Sequence, residues 1–248
     1  MGIIYILWLR QIKRYLRSKA RIIGSLGQPL LFFVAFGFGF GPIYQKAGGG
    51  NYLSFLAPGI IGMSILFTSV FSGIEMIWDR QFGFLKETFV APVPRYQIVI
   101  GRILGGATVS MLQGFIVLVL TIIVGFRVEH YHDIPLALII MFLIALLFTS
   151  LGTAIASVIE DMHGFQLIIN FLVMPIYFLS GAMFPLAGLP KALQIVAIMD
   201  PLTYGIDALR FALVNAGHFS LGLNLGVLVL VNILMISVAT YLFSKIRM

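Results

Sequence analysis

The 248-residue chain has no cysteine, which excludes disulfides, thiolate metal sites and cysteine nucleophiles. Charge is almost as scarce: Asp, Glu, Lys and Arg make up 10% of the residues, against roughly a quarter in a soluble domain. No G-x-x-x-x-G-K-[ST] is present to cradle a nucleoside triphosphate, and neither H-E-x-x-H nor G-x-S-x-G occurs. Catalysis by this chain alone is therefore not expected, nor is a resident cofactor or metal. Alternating segments of about 10 residues, the pattern of a membrane barrel, are missing too. What fills the chain is apolar: 60% hydrophobic residues, with 22 Phe and 11 Met, and a mean hydropathy of +1.06. The expectation is an all-α, polytopic membrane protein forming a single domain over 1–248.

A bilayer core needs about 20 mostly apolar residues per helix. Six runs meet this, near 23–41, 57–77, 97–125, 135–158, 165–183 and 221–243. The first carries Gln28-Pro29 and the series Gly37, Gly39, Gly41, and the fifth carries Pro175; such residues are tolerated where neighbouring helices or water satisfy the backbone. The third run exceeds the hydrocarbon, so its start, with Arg102, is expected to protrude into the cytoplasm. Ahead of the spans, residues 1–22 place Arg10, Lys13, Arg14, Arg17 and Arg21 on one side of a helix, with Tyr5, Trp8, Leu9, Ile12, Leu16 and Ala20 opposite. That is an amphipathic helix for the interface.

With the N-terminus inside, the inner segments hold twelve Lys and Arg and the outer ones four. The asymmetry predicts both termini in the cytoplasm of a multi-pass inner-membrane protein. The net charge of +7 is thus read as orientation signals and lipid-headgroup contacts, not as a nucleic-acid surface.

Residues 184–219 are apolar but interrupted by Pro185, Pro190, Pro201, Asp200, Asp207 and Arg210. Pro190 opens a short helix, and Asp200-Pro201 reads as an N-cap followed by proline at the first helical position. Asp207 and Arg210, spaced i, i+3, are placed to pair on one face. A re-entrant hairpin entering from outside is predicted. EHYHD at 129–133 reads as a solvated loop, with a divalent-cation site as the rival reading. Glu75, within a turn of the inner boundary, is expected to reach water. Intramembrane charge is otherwise too sparse for an ion-driven carrier, so energy for a pump would come from another protein.

The stretch WDRQFGFLKETFVAPVPR, 78–95, gathers Asp79, Arg80, Lys86, Glu87 and Arg95 between two apolar runs on the inner side. It is long enough for a short helix, ended by Pro92 and Pro94, that presents charge and Phe82, Phe84 and Phe89 to a soluble protein; an ordinary charged loop is the equal alternative.

LKETFVAPVPR, FLSGAMFPLAGLP and DPLTYGIDALR together resemble the permease subunits of ABC-2 type transporters, especially the drug-resistance and lipo-oligosaccharide export branch. The resemblance covers the whole chain. It implies a homodimer of permeases energised by two copies of an ABC ATP-binding subunit, with ATP and Mg on that partner. It makes Arg80, Phe84, Leu85, Lys86, Glu87 and Phe89 the docking residues, with Phe84, Leu85 and Phe89 in a groove. Pro185, Pro190, Asp200, Pro201, Tyr204, Asp207 and Arg210 become the external gate hairpin. Spans one, two and five line the path, with Phe32, Phe36, Ser64, Phe67, Phe71, Asn170 and Tyr177 as liners. The implied function is export of an amphiphilic drug-like or lipid-like substrate. Export of a polysaccharide or lipid-linked glycan, a non-transporting scaffold that recruits a cytoplasmic partner, and an ATP-independent carrier or channel are the alternatives.

Overall fold

The computed structural model describes residues 2–48, 50–90, 92–188 and 190–246, without the side chains of Lys86, Glu87, Phe89 and Ala187. Among the described residues there is no strand. Helix α1 (Ile3–Arg17) is followed after Ser18 by α2 (Lys19–Lys46), then α3 (Tyr52–Phe71), α4 (Ile74–Gln81), α5 (Phe84–Val90) and α6 (Arg95–Val124). Next come α7 (Ile134–Val158), α8 (Met162–Leu179), α9 (Lys191–Met199), α10 (Pro201–Val214) and α11 (Leu221–Ser244).

Six segments are long and apolar enough to cross a membrane: Lys19–Lys46, Tyr52–Gln81, Arg95–Val124, Tyr131–Val158, Met162–Leu179 and Leu221–Ser244. They coincide with the six apolar runs, and the second extends beyond its run at both ends. Asn51 caps α3 by accepting from the Leu53 N–H at 3.0 Å, so this helix starts before Pro58. At its far end α3 continues through a break at Ser72-Gly73 into α4, which carries the span on to Gln81.

The centre of the bundle is α3. In its span 72% of the most apolar stretch is buried, against 17% for α2, 22% for α8 and 17% for α11. Close approach of α3 and α7 depends on missing side chains: a Cβ on Gly152 would collide with the Val70 carbonyl, and one on Gly73 with the Gly152 carbonyl. At such contacts the backbones themselves form the interface, which is how helices gain dispersion energy in lipid. The low burial of α2, α8 and α11 leaves large apolar side chains such as Ile23, Leu31, Leu167, Phe171 and Leu230 facing outward.

Helix α1 lies against the first half of α6. Gly101 and Gly105 make room for it: a Cβ on Gly105 would lie 2.8 Å from the Gln11 Cβ, and one on Gly101 3.1 Å from the Leu7 Cβ. Trp8 donates its indole N–H to Thr108 Oγ1 at 3.0 Å, while Leu7 and Tyr15 are buried and Tyr5 and Leu16 stay exposed.

Helices α9 and α10 meet at 85°, so the predicted hairpin is a bent pair. The Asp200 side chain accepts from the Leu202 N–H at 2.9 Å with Pro201 in the first turn, as the sequence pattern requires. Across the bend, Thr203 Oγ1 donates to the Ala197 carbonyl at 2.6 Å and the Tyr204 hydroxyl to the Ile198 carbonyl at 2.8 Å. Helix α10 is buried among α3, α7 and α11, whereas α9 exposes Ile195, Val196, Ile198 and Met199.

Candidate coupling end and cargo cavity

The first half of α6, with α1 and α4, forms one end of the bundle, and its charges meet there. Asp79 of α4 is flanked by two guanidiniums: Arg10 of α1, at 3.1 Å, and Arg102 of α6, in a close ion pair. Four residues earlier, Glu75 is shared by Arg21 at 2.6 Å and Arg14 at 3.6 Å. One turn of helix separates the carboxylates, so both point to the same side. The Arg102 side chain is only 5% exposed and that of Asp79 8%. Arg102 thus does not protrude into water, because α1 and α4 cover it, and Glu75, 10% exposed, is sealed by the two arginines. Likewise the basic face of the N-terminal helix is not wholly given to headgroups. Arg10, Arg14 and Arg21 turn inward because two carboxylates in an apolar bundle must be paired.

The 78–95 stretch is therefore partly consumed inside the chain. Arg80, expected among the docking residues, donates to the Ser157 carbonyl at 3.3 Å and pairs with Glu160 at 3.6 Å, tying α4 to the end of α7 and the turn before α8. Gly83, at φ +80°, turns the chain sharply between α4 and α5, a conformation other residues enter at a cost of about 1–2 kcal/mol. Leu85 is fully buried. It anchors α5 and offers no surface for a groove. Phe84 lies under the Arg10 guanidinium, 3.8 Å from its ring centroid. The expected contacts at Lys86, Glu87 and Phe89 fall outside the described side chains. What the end does expose is Phe82, at 83%, and Val90, at 85%. Phe82 is among the aromatics that the sequence presents to a partner; Val90 is not, since nothing in its apolar neighbourhood distinguishes it. Arg95 donates to the Ser244 carbonyl at 2.7 Å and the Ile246 carbonyl at 3.0 Å, fastening the start of α6 to the end of α11.

Beside the ion pairs, a cavity of about 400 Å³ opens between α1, α2, α3, α4, α6 and α8. Of the seven expected liners it contains Ser64, Phe67 and Phe71, with Met63, Val109 and Met162 completing an apolar wall. The Phe67 and Phe71 rings stack at 6.2 Å. The Ser64 hydroxyl is buried and finds no partner among the described residues. At the charged end stand Gln11, Tyr15, Arg21, Glu75 and Trp78. Burial pushes the Tyr15 phenol up from its ordinary range, against a smaller opposing pull from Arg21, so it stays protonated and hydrogen-bonds to the Gln113 side chain. The other four expected liners lie elsewhere. Phe32 and Phe36 pack edge to face on α2 at 5.5 Å, Asn170 is exposed on α8, and Tyr177 is fully buried, its hydroxyl without a partner among the described residues. Tyr177 is enclosed by the chain's own packing, which removes it from any wall of this cavity.

At the opposite end Asp207 and Arg210 do not pair. Asp207 accepts from the backbone N–H groups of His218 and Phe219, at 2.7 and 2.9 Å, and from Asn224 at 2.9 Å. Arg210 instead donates to the carbonyls of Gly181, at 3.2 Å, and Phe55, at 3.4 Å, and covers the Phe55 ring at 4.1 Å. Spacing allowed the pair, but loop amides nearer to hand satisfy the carboxylate first. Pro185 and Pro190 are exposed and flank the short turn that leads into α9. In 129–133, the His130 and His132 rings stand 5.2 Å apart, and among the described residues no group of three or more His, Asp or Glu is placed to hold a metal.

Comparison with known proteins places this arrangement. The family model for ABC-2 type transporters matches residues 3–214. The chain is 28% identical to the transport permease ycf38 of Cyanophora paradoxa, over 98% of this chain and 88% of that one. It is 28% identical to nodulation protein J of Rhizobium leguminosarum bv. viciae, over 96% and 94%. It is 26% identical to the inner membrane transport permease YadH of Escherichia coli K12, over 90% and 87%. Membership implies association with an ABC ATP-binding subunit, and the six apolar spans make this a multi-pass inner-membrane protein. From α1 to α10 the chain follows the family pattern, and it belongs to the ABC-2 type transporters as a membrane permease subunit.

Proposed function

We propose that this permease exports an amphiphilic, drug-like or lipid-like substrate, driven by ATP and Mg held on a separate ATP-binding subunit. The observation that carries the reading is the build of the α4–α5 corner. The corner is rigid where it joins the chain, through Asp79, Arg80 and Leu85, and exposes Phe82 and Val90 at its tip. Exposed large apolar side chains flanking a short helix fit a protein contact, and a stiff base transmits movement of that contact to α1, α6 and the cavity. The twelve-to-four bias of basic residues supports a cytoplasmic location for this corner and for both termini.

The working unit is two permeases with two ATP-binding subunits. Two features of the outward faces support a second copy. Asn170 places a carboxamide on an apolar, exposed face of α8, where a polar group needs a partner. On α2, a Cβ added at Gly24, Gly27, Gly39 or Gly41 meets nothing within 4 Å among the described residues, leaving room for close helix contact. ATP binding draws the cassettes together, the corners carry the displacement, and the span bundles switch arrangement. Cargo enters the apolar cavity from the inner leaflet, and the α9–α10 hairpin gates the outer end.

The test is deletion of 80–91. An energised pump loses both cassette co-purification and ATP-dependent substrate movement; an independent carrier keeps its transport, and that result would reject the reading.

A further inference from the structure

Charge at the mouth of the cavity limits what the cavity accepts. Arg14 and Arg21 share the single carboxylate of Glu75, and one turn away Arg10 and Arg102 share Asp79. Of these groups Arg21 and Glu75 line the cavity; counted with Arg10, Arg14, Arg102 and Asp79 beside them, four guanidiniums share two carboxylates, an excess of positive charge in a setting where unmatched charge is costly. Arg21 is the guanidinium with room to act: its side chain is 43% exposed, and it lines the cavity itself.

From Glu75 the wall runs past Ile74, Phe71, Phe67 and Ser64. Ser64 and Phe71 stand seven residues apart on α3, so the apolar side of this slot runs along about 10 Å of helix. Its volume of about 400 Å³ is at the small end of ligand pockets, about 300–1,000 Å³, which favours one hydrocarbon chain over two.

We infer that the cavity binds a single-chain anionic amphiphile, with its phosphate- or carboxylate-like head on Arg21 and its tail along Phe67, Phe71 and Met63. The inference builds on the export reading in taking this molecule as cargo, but binding itself is measured without the cassette. In binding, the anion takes up guanidinium donors that Glu75 leaves free, and no covalent step is involved.

Trp8 and Trp78 are the two tryptophans of the chain, and Trp78 lines the cavity. A Trp8→Phe protein in phosphatidylcholine nanodiscs with a tryptophan-free belt therefore reports from Trp78 alone. Dodecyl phosphate is expected to change Trp78 emission saturably. Dodecyltrimethylammonium at the same concentration, and inorganic phosphate without a tail, are expected to leave it unchanged. Arg21→Gln weakens the response about ten-fold, the scale of one charge-assisted hydrogen bond, and Phe71→Ala also weakens it. Thermal stabilisation of the unsubstituted protein by the same compounds gives a readout free of the Trp8 change. Equal or better binding of the cationic amphiphile, a response to phosphate alone, or an unchanged Arg21→Gln affinity overturns the inference. Displacement of dodecyl phosphate by phosphatidylglycerol in the disc assigns the slot to a two-chain bilayer lipid and overturns it as well. Any of these leaves the export reading standing, because cassette co-purification and ATP-dependent transport test that separately.

Discussion

Arg102 and Asp79 illustrate what single residues do in this bundle. A guanidinium 5% exposed among helices is held charged by its carboxylate partner, and breaking such a pair from one side strands the other. Asp79→Asn should therefore destabilise the detergent-solubilised protein by roughly 3–5 kcal/mol, read as a lowered thermal midpoint. The double variant Asp79→Asn/Arg102→Met should recover most of that loss, since it no longer buries an unmatched cation; no recovery would mean that the pair is not what holds α4 on α6. Asp207 makes the complementary case at the other end. Its three donors all face an acceptor, so Asp207→Asn turns an N–H₂ toward at least one amide and should cost about 1–3 kcal/mol. Arg210→Ala acts on different partners and should add independently to it, because the two side chains share no bond. Neither fact was readable from spacing. An i, i+3 interval says that two residues can meet, while the choice of partner depends on loop amides brought in by the fold.

Helices were legible where their cause is local. Six apolar runs gave six spans because hydropathy over about 20 residues is a property of the segment itself, and Asp200-Pro201 opened a helix because a cap acts within three residues. The extensions to Tyr52 and Gln81 were not legible, as they depend on the Asn51 cap and on ion pairs that let Glu75 and Asp79 continue a helix through a buried layer. For the same reason the arginines of 1–22 read as a headgroup face, although Arg10 and Arg14 of α1 and Arg21 of α2 point inward. The contact of α1 with α6 can be tested directly. Gly105→Val would drive a methyl group into Gln11 and should lift α1 from α6, seen as faster hydrogen exchange over 3–17 with the remaining spans unchanged. Unaltered exchange would show that α1 is held by its ion pairs alone.

For the whole molecule, the structure joins three things that sequence kept apart: a corner that exposes Phe82 and Val90, a buried lattice of arginines and carboxylates, and a cavity bearing Ser64, Phe67 and Phe71. The family resemblance points to 80–91 and names Ser64, Phe67 and Phe71, but the lattice beside them exists only in three dimensions. Substituting Phe82→Asp should lower affinity for the ATP-binding subunit at least several-fold, and Glu87→Lys should weaken the complex as well. Pull-down with the co-expressed subunit measures both. The most direct test of the account is the ATPase turnover of the cassette reconstituted with this permease in liposomes, titrated with single-chain amphiphiles. Turnover should rise with an amphiphile bound and lose that response when 80–91 is removed; turnover indifferent to every amphiphile, with the corner intact, would contradict it.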